Sequence, residues 1–247
     1  EAMDCGGFKV IAIIAEGMPE RRTRELIARA GREGVVVIGP ATVGAIKAGA
    51  FKIGNTGGSL DNIAEARLYR PGHVAYLSRS GGLSNELNNI VARNTDGVYE
   101  GIALGGDRYP GSTFLDHALR YARDPNVALI LVLGEVGGVD EHALAAAIAA
   151  GEIGKPVIAW CIGTSADVLG ASVQFGHAGA MAEADRETAR AKNEALRAAG
   201  AIVPDSFEER DRVLKSTYEQ LVREGAFIPA PDVQPPPIPR DFGSALR

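Results

Sequence analysis

Short runs of β-branched and aliphatic residues alternate with helix-like segments along nearly the whole chain, and this alternation restricts the fold more than any other feature. Candidate strands are Val10–Ala15, Val35–Ile38, Val74–Ser78, Gly101–Leu104, Val127–Leu133, Val157–Cys161 and Ala201–Val203. Most are continuously apolar rather than alternating, the pattern of parallel strands covered by helices on both faces. Strand, helix, strand in sequence demands right-handed crossovers and gives a doubly wound α/β architecture. A TIM barrel needs eight such units, and seven strands are legible. Helix punctuation agrees: Pro19 and Gly34 bracket the first helix, and Ser206 with Glu209 makes a capping box. That box opens a last helix whose apolar stripe is Phe207, Leu214, Tyr218, Leu221 and Val222, ended by Gly225. The helix following His177 has an alanine face at 184, 191 and 195 and closes at Gly200.

The stretch from Gly54 to Gly72, rich in Gly and Asn and ending in Arg-Pro-Gly, reads as a break between two sheets. The chain therefore divides into 1–70, 71–228 and a tail over 229–247, where six prolines between 229 and 239 favour an extended path. Apolar residues make up 46% of the 247, enough for a sizeable core. A net charge of −5 argues against a general nucleic-acid or membrane-surface binder. The longest apolar run, Val127–Leu133, is far short of a membrane span. Cys5 and Cys161 stand apart, with no disulfide framework or metal-ligand spacing, so no metal site is expected on these residues. With no signal-peptide pattern, a reducing cytoplasm is the expected compartment. The chain opens on Glu1 with strand-like residues almost at once, as expected of a piece of something longer.

In open parallel sheets, ligands bind beyond the carboxyl ends of the strands. Four groups of reactive residues fall there. Glu16 follows the first strand; Ser80, Gly81 and Gly82 follow the third and lead into a helix; Glu135 follows the fifth; His177 lies on a glycine-flanked loop after the sixth. Ser-Gly-Gly at a strand-to-helix turn offers exposed amides, a hydroxyl and a helix dipole to an anion, although it also serves as a plain tight turn. Neutral imidazole is a competent nucleophile near pH 7, so His177 between Gly176 and Gly179 is a candidate phosphoryl carrier. A carboxylate on Nδ1 would fix its tautomer and leave Nε2 to react. His117 and His142 read as exposed helix positions, His73 as a histidine without companions, and Trp160 and Cys161 as strand core.

Several motifs in this order resemble one family. Glu16-Gly17-x-Pro19, Ser78-Arg79-Ser80-Gly81-Gly82, Gly105-Gly106-Asp107 with Gly111, Gly134-Glu135-x-Gly137-Gly138 and Gly176-His177-Ala178-Gly179-Ala180 resemble the alpha subunit of succinyl-CoA synthetase and its relatives. The residues between them, such as Ile53-Gly54-Asn55-Thr56-Gly57-Gly58, Asn85-Glu86-Leu87-Asn88-Asn89, Asp107-Arg108-Tyr109-Pro110-Gly111-Ser112 and Val173-Gln174-Phe175, are more similar to ATP-citrate lyase. The resemblance runs from about residue 10 to 241.

It implies the second half of a CoA-binding Rossmann-like domain over 1–70, followed by a flavodoxin-like ligase domain over 71–228. It implies that ATP phosphorylates His177, that the phosphoryl group passes to citrate, and that CoA attacks citryl phosphate to give citryl-CoA. Glu16 and Glu135 match the glutamates beside the active histidine, and Ser80, Gly81 and Gly82 match the phosphate-receiving helix start. Ile14, Ala15, Pro40 and Thr42 fall at CoA-contacting positions, although Gly39-Pro40-Ala41-Thr42-Val43-Gly44 departs from the synthetase's Gly-Pro-Asn-Cys-Pro-Gly. ATP with Mg2+ would be held mostly on an ATP-grasp domain or subunit, and a citrate-synthase-like lyase module would cleave the product to acetyl-CoA and oxaloacetate, in a homo- or hetero-oligomer. The alternatives are a succinyl-CoA or citryl-CoA synthetase subunit without lyase activity, or a non-catalytic CoA- or nucleotide-binding module.

Overall fold

A computed structural model describes residues 1–163, 181, 184–206 and 209–237. Two sheets carry the architecture. The small one pairs β1 (Val10–Ala12) with β2 (Val36–Ile38) in parallel, joined by helix α1 (Glu20–Glu33). Pro19 stands at the N-cap of α1, and Gly34 ends the helix in the left-handed conformation at φ 67°, which costs a glycine nothing.

The large sheet has six strands, in the order β4 (Phe51–Gly54), β3 (Gly44–Lys47), β6 (Val98–Ala103), β5 (Val74–Ser78), β7 (Leu129–Glu135) and β8 (Val157–Ile162). Its parallel part is β6, β5, β7 and β8. Helices α3 (Gly81–Asn94), α4 (Phe114–Arg123), α5 (Asp140–Ala149), α6 (Ala189–Ala198) and α7 (Glu209–Arg223) cover it, while the short α2 (Leu60–Glu65) comes just before β5 in the chain. All residues of β5 and β7 are buried, which is why both read as unbroken apolar runs. One core gathers Leu77, Ile102, Phe114, Tyr121, Ile130, Val132 and Leu144; the opposite face gathers Tyr76, Leu87, Ile90, Leu131, Leu133 and Leu214.

The division between sheets differs from the expected one. A hairpin of β3 (Gly44–Lys47) and β4 (Phe51–Gly54) pairs antiparallel with β6 and so joins the large sheet ahead of the 54–72 stretch. These strands were illegible because they are short, begin or end on glycine and carry Lys47 and Lys52. The expected last strand, Ala201–Val203, shrinks to one parallel bridge between Ile202 and Ile158. Residue 184 lies outside α6, whose N-cap is Thr188, so the alanine face starts later than expected. At α7, Ser206 Oγ accepts from Glu209 N at 3.2 Å, while the Glu209 carboxylate accepts from Asp205 N at 2.9 Å, a capping box shifted by one residue. Phe207 lies outside the described residues. No described helix is long and apolar enough to cross a membrane.

Two histidine expectations are corrected. His73 has companions: its Nδ1 lies 2.5 Å from Asp96 Oδ2, and its ring stacks on Phe227 at 4.5 Å between centroids. His117 sits on the inner face of α4, 5% exposed, with Nε2 2.9 Å from Ser112 Oγ. Burial, then the charge of Arg120, pushes its pKa down from 6.5 to about 4. The unfolded chain therefore takes the proton first as pH falls, and stability present above pH 6.5 drains away on the way to pH 4. Between pH 7 and 5 this site should cost about 2 kcal/mol. Urea titrations of wild type and H117N at both pH values should show the gap between them narrowing by that amount; parallel losses would contradict it.

Candidate active edge

The carboxyl ends of both sheets meet along one edge. Gly39, just past β2, donates to Leu104 O at 3.0 Å just past β6, and Gly111 N donates back to Gly39 O at 2.7 Å. Ala41 N donates to Ala15 O at 3.0 Å, and Gly106 N to Ala41 O at 3.2 Å. The segments holding Glu16, Pro40 and the Gly105-Gly106-Asp107 turn are thus joined by backbone bonds. Close approach requires glycine here: a Cβ on Gly105 (φ +99°) would stand 2.1 Å from Pro40 O.

Arg79 extends the junction to the large sheet. It is buried, its Nη1 lies 3.4 Å from both Gly105 O and Asp107 O, and its Nη2 lies 2.5 Å from Asp140 Oδ2 at the start of α5. One guanidinium with fixed fork geometry therefore aligns the ends of β5, β6 and β7. In the sequence Arg79 stands out only as part of the Ser78–Gly82 motif, its position directly before Ser80 being the available signal.

Ser80 is the N-cap of α3, its Oγ accepting from Leu83 N at 3.4 Å. Gly81 is buried against Val43, where a Cβ would come within 2.7 Å of Cγ1. Gly82 faces outward, with no heavy atom within 4 Å of where its Cβ would be. The first turn of α3 holds no acidic residue, so no carboxylate of its own offsets the positive end of its dipole. The chemistry of this turn suits an anion: a helix start with no acidic side chain in its first turn and a free approach over Gly82.

Glu135 closes β7 and is 5% exposed. Its backbone N donates to Glu141 Oε1 at 3.3 Å, and its carbonyl accepts from Lys192 Nζ at 2.7 Å. Lys192 also forms an ion pair with Glu141 Oε2 at 2.7 Å, both side chains fully enclosed. Neither Lys192 nor Glu141 was singled out from the sequence, where each reads as an ordinary helical charge; only the structure turns them inward. Cys161, at the end of β8, is buried, and burial followed by the Glu141 charge pushes its thiol pKa well up, so it remains a protonated packing group.

The other expected positions fall as follows. Glu16, Ile14 and Ala15 are exposed after β1. Pro40 is buried, and Thr42, 3% exposed, spends its hydroxyl internally: it donates to Ala103 O and accepts from Gly44 N at 2.8 Å. Thr42 therefore tethers the β3 entry to β6, and of the four positions expected to contact CoA only Ile14 and Ala15 are exposed. His177 lies outside the described residues, as do Gly176, Gly179 and Val173-Gln174-Phe175. Among the described residues, no cluster of three or more His, Cys, Asp or Glu could hold a metal ion.

A family model described as CoA-ligase matches residues 77–202, just over half of the chain and all of β7, β8, Ser80–Gly82, Glu135 and Lys192. The chain is 59% identical over 245 residues to an ATP-citrate synthase of Mus musculus, covering 99% of this chain and 22% of that protein. It is 56% identical to a probable ATP-citrate synthase subunit 1 of Schizosaccharomyces pombe, again over 99% of this chain but 40% of that protein. The solved structure of ATP citrate lyase from Methanothrix soehngenii in complex with citrate and coenzyme A matches with TM-score 0.92 and 50% identity, over 96% of this chain and 39% of that one. An acetyl-coenzyme A synthetase of Ca. Korarchaeum cryptofilum, 22% identical with TM-score 0.63, shares the fold alone. The chain thus spans about a fifth of the mouse protein and two fifths of the other two ATP-citrate enzymes. With the family model running through the sheet edge just described, the chain belongs to the CoA-ligase family.

Proposed function

We propose that this chain is the phosphoryl-carrying portion of an ATP-citrate synthase. In this reading His177 accepts a phosphoryl group from ATP and passes it to citrate, and CoA displaces phosphate from citryl phosphate to give citryl-CoA. Cleavage to acetyl-CoA and oxaloacetate belongs to a citrate-synthase-like module, and ATP with Mg2+ is held mostly by an ATP-grasp domain or subunit. The observation that carries the reading is the 50% identity and TM-score of 0.92 to an enzyme solved with citrate and coenzyme A.

The geometry supports the roles. Imidazole attack on the γ-phosphorus forms the N–P bond while ADP leaves, and the citrate carboxylate later takes the phosphoryl group and frees the ring. The developing negative charge needs preorganised donors, which the Ser80-Gly81-Gly82 turn offers without reorganisation. A carboxylate such as Glu135 on the far ring nitrogen would keep the reacting nitrogen unprotonated and stabilise the charged phosphohistidine. Glu16, on the small sheet, suits a second station where CoA and citrate meet. A cytoplasmic setting and an oligomeric assembly belong to the same proposal.

The test uses full-length enzyme with ATP and citrate, followed by mapping of acid-labile phosphate. Label should sit on His177 and vanish in H177A, and E135Q should label at least tenfold more slowly while keeping its melting temperature. Label that survives in H177A, or that maps to another residue, would refute the assignment.

A further inference from the structure

The buried Lys192–Glu141 pair is not used by the chemistry above, yet every bond it makes ends on the segment that presents Glu135. Lys192 Nζ donates to Glu135 O at 2.7 Å and to Gly137 O at 2.5 Å, and it stands 2.7 Å from Glu141 Oε2 as an ion pair without hydrogen-bond alignment. Glu141 returns a bond through Oε1 to Glu135 N at 3.3 Å. Glu135 is therefore held at both its amide and its carbonyl by one ion pair. Gly134 makes room for it: a Cβ there would stand 2.6 Å from Glu141 Oε1 and 2.7 Å from Cys161 Sγ. Gly137, at φ +92°, turns its carbonyl to the ammonium and donates its own amide to Glu187 O at 2.8 Å.

The neighbouring residue on α6 completes the arrangement. Asn193 Oδ1 accepts from Cys161 N at 2.8 Å and its Nδ2 donates to Cys161 O at 3.1 Å, pinning α6 to the last residues of β8. Val136 N also donates to Ile162 O at 3.0 Å. Adjacent side chains of one helical turn thus grip the ends of β7 and β8. An enclosed ion pair seldom gives more stability than apolar residues of the same shape, because desolvation offsets the attraction. What its bonds do here is hold the 135–137 backbone.

We propose that Lys192, with Glu141 and Asn193, is the positioning device of the phosphoryl-transfer site, fixing the Glu135 segment against the strand end and the helix that flank the histidine-bearing stretch. The inference rests on the phosphohistidine reading above. Its consequence is a rate effect that stability alone does not explain: the carboxylate of Glu135 must arrive within a few tenths of an ångström to orient an imidazole, and a loosened segment loses that precision.

The experiment compares wild type, K192M and K192M/E141Q in full-length enzyme, reading the melting temperature, the single-turnover rate of phosphate labelling at His177, and KM for ATP and citrate. K192M strands a buried carboxylate and should melt about 10 °C lower. The double variant removes that lone charge, while the carboxamide oxygen introduced by E141Q can still accept from Glu135 N, so it should recover more than half of the melting loss. Its labelling rate should nevertheless stay at least tenfold below wild type, with KM values within about twofold. Recovery of the rate along with the stability, or a loss confined to KM, would overturn the inference and leave the pair a packing element. Wild-type label found away from His177 would remove the parent reading and this one together, whereas normal labelling at His177 in the double variant would remove this one alone.

Discussion

A Gly82→Asp variant of the full-length enzyme should melt no lower than wild type and yet lose about two orders of magnitude in phosphoryl transfer. The two effects have opposite signs for one reason. Gly82 lies in the first turn of α3, with open space where its Cβ would be, so a side chain meets nothing. Replacing a helical glycine by aspartate, itself a weak helix former, gains about 0.3 kcal/mol of propensity. A carboxylate at a helix start that holds no other acid adds roughly 0.3–1 kcal/mol through the dipole. The same negative charge occupies the approach that a phosphoryl group would use. Losing an anion-stabilising donor in a preorganised site costs about 100-fold in rate, and replacing it with a repelling charge costs no less. Gly82→Ala separates the terms: it should gain stability and lose less than tenfold in rate. If Gly82→Asp labels His177 at the wild-type rate, the α3 terminus is a capped helix and nothing more.

A Gly105→Ala variant should fail in the other way, losing both fold and activity. The added methyl would lie 2.1 Å from Pro40 O and 3.1 Å from Gly39 Cα, both backbone atoms, and the φ of +99° is one that L side chains rarely adopt. Neither neighbour can yield without breaking the bonds that join the two sheets, from Gly39 N to Leu104 O and from Gly106 N to Ala41 O. Strained backbone and overpacking each cost on the order of 1–3 kcal/mol, so a total near 4 kcal/mol is expected. Denaturant titration of the chain measures it. A loss below about 1 kcal/mol would mean that the small sheet is not locked to the 105–107 turn.

The contrast between these glycines marks what could be read in advance. Position along the chain placed Ser80–Gly82 at a strand end and Glu135 at another, because buried parallel strands announce themselves as apolar runs and their carboxyl ends follow by counting. The β3–β4 hairpin stayed hidden, since its strands alternate and its lysines mimic a loop. Thr42 falls at a CoA-contacting position by resemblance alone, and in the structure its hydroxyl donates to Ala103 O. Lys192 and Glu141 were invisible as site elements for a general reason. A charge on an amphipathic helix reads as solvated, and only tertiary packing reveals which charges have been turned inward to hold a neighbouring segment.

Where one imidazole meets the phosphate turn decides the mechanism, and a crystal structure of the phosphorylated full-length enzyme tests that directly. The phosphoryl oxygens on His177 should lie at roughly 2.7–3.2 Å from the Gly81 or Gly82 amide, with the Glu135 carboxylate at similar distance from the other ring nitrogen. A phosphorylated His177 standing clear of both the α3 start and Glu135 would contradict it.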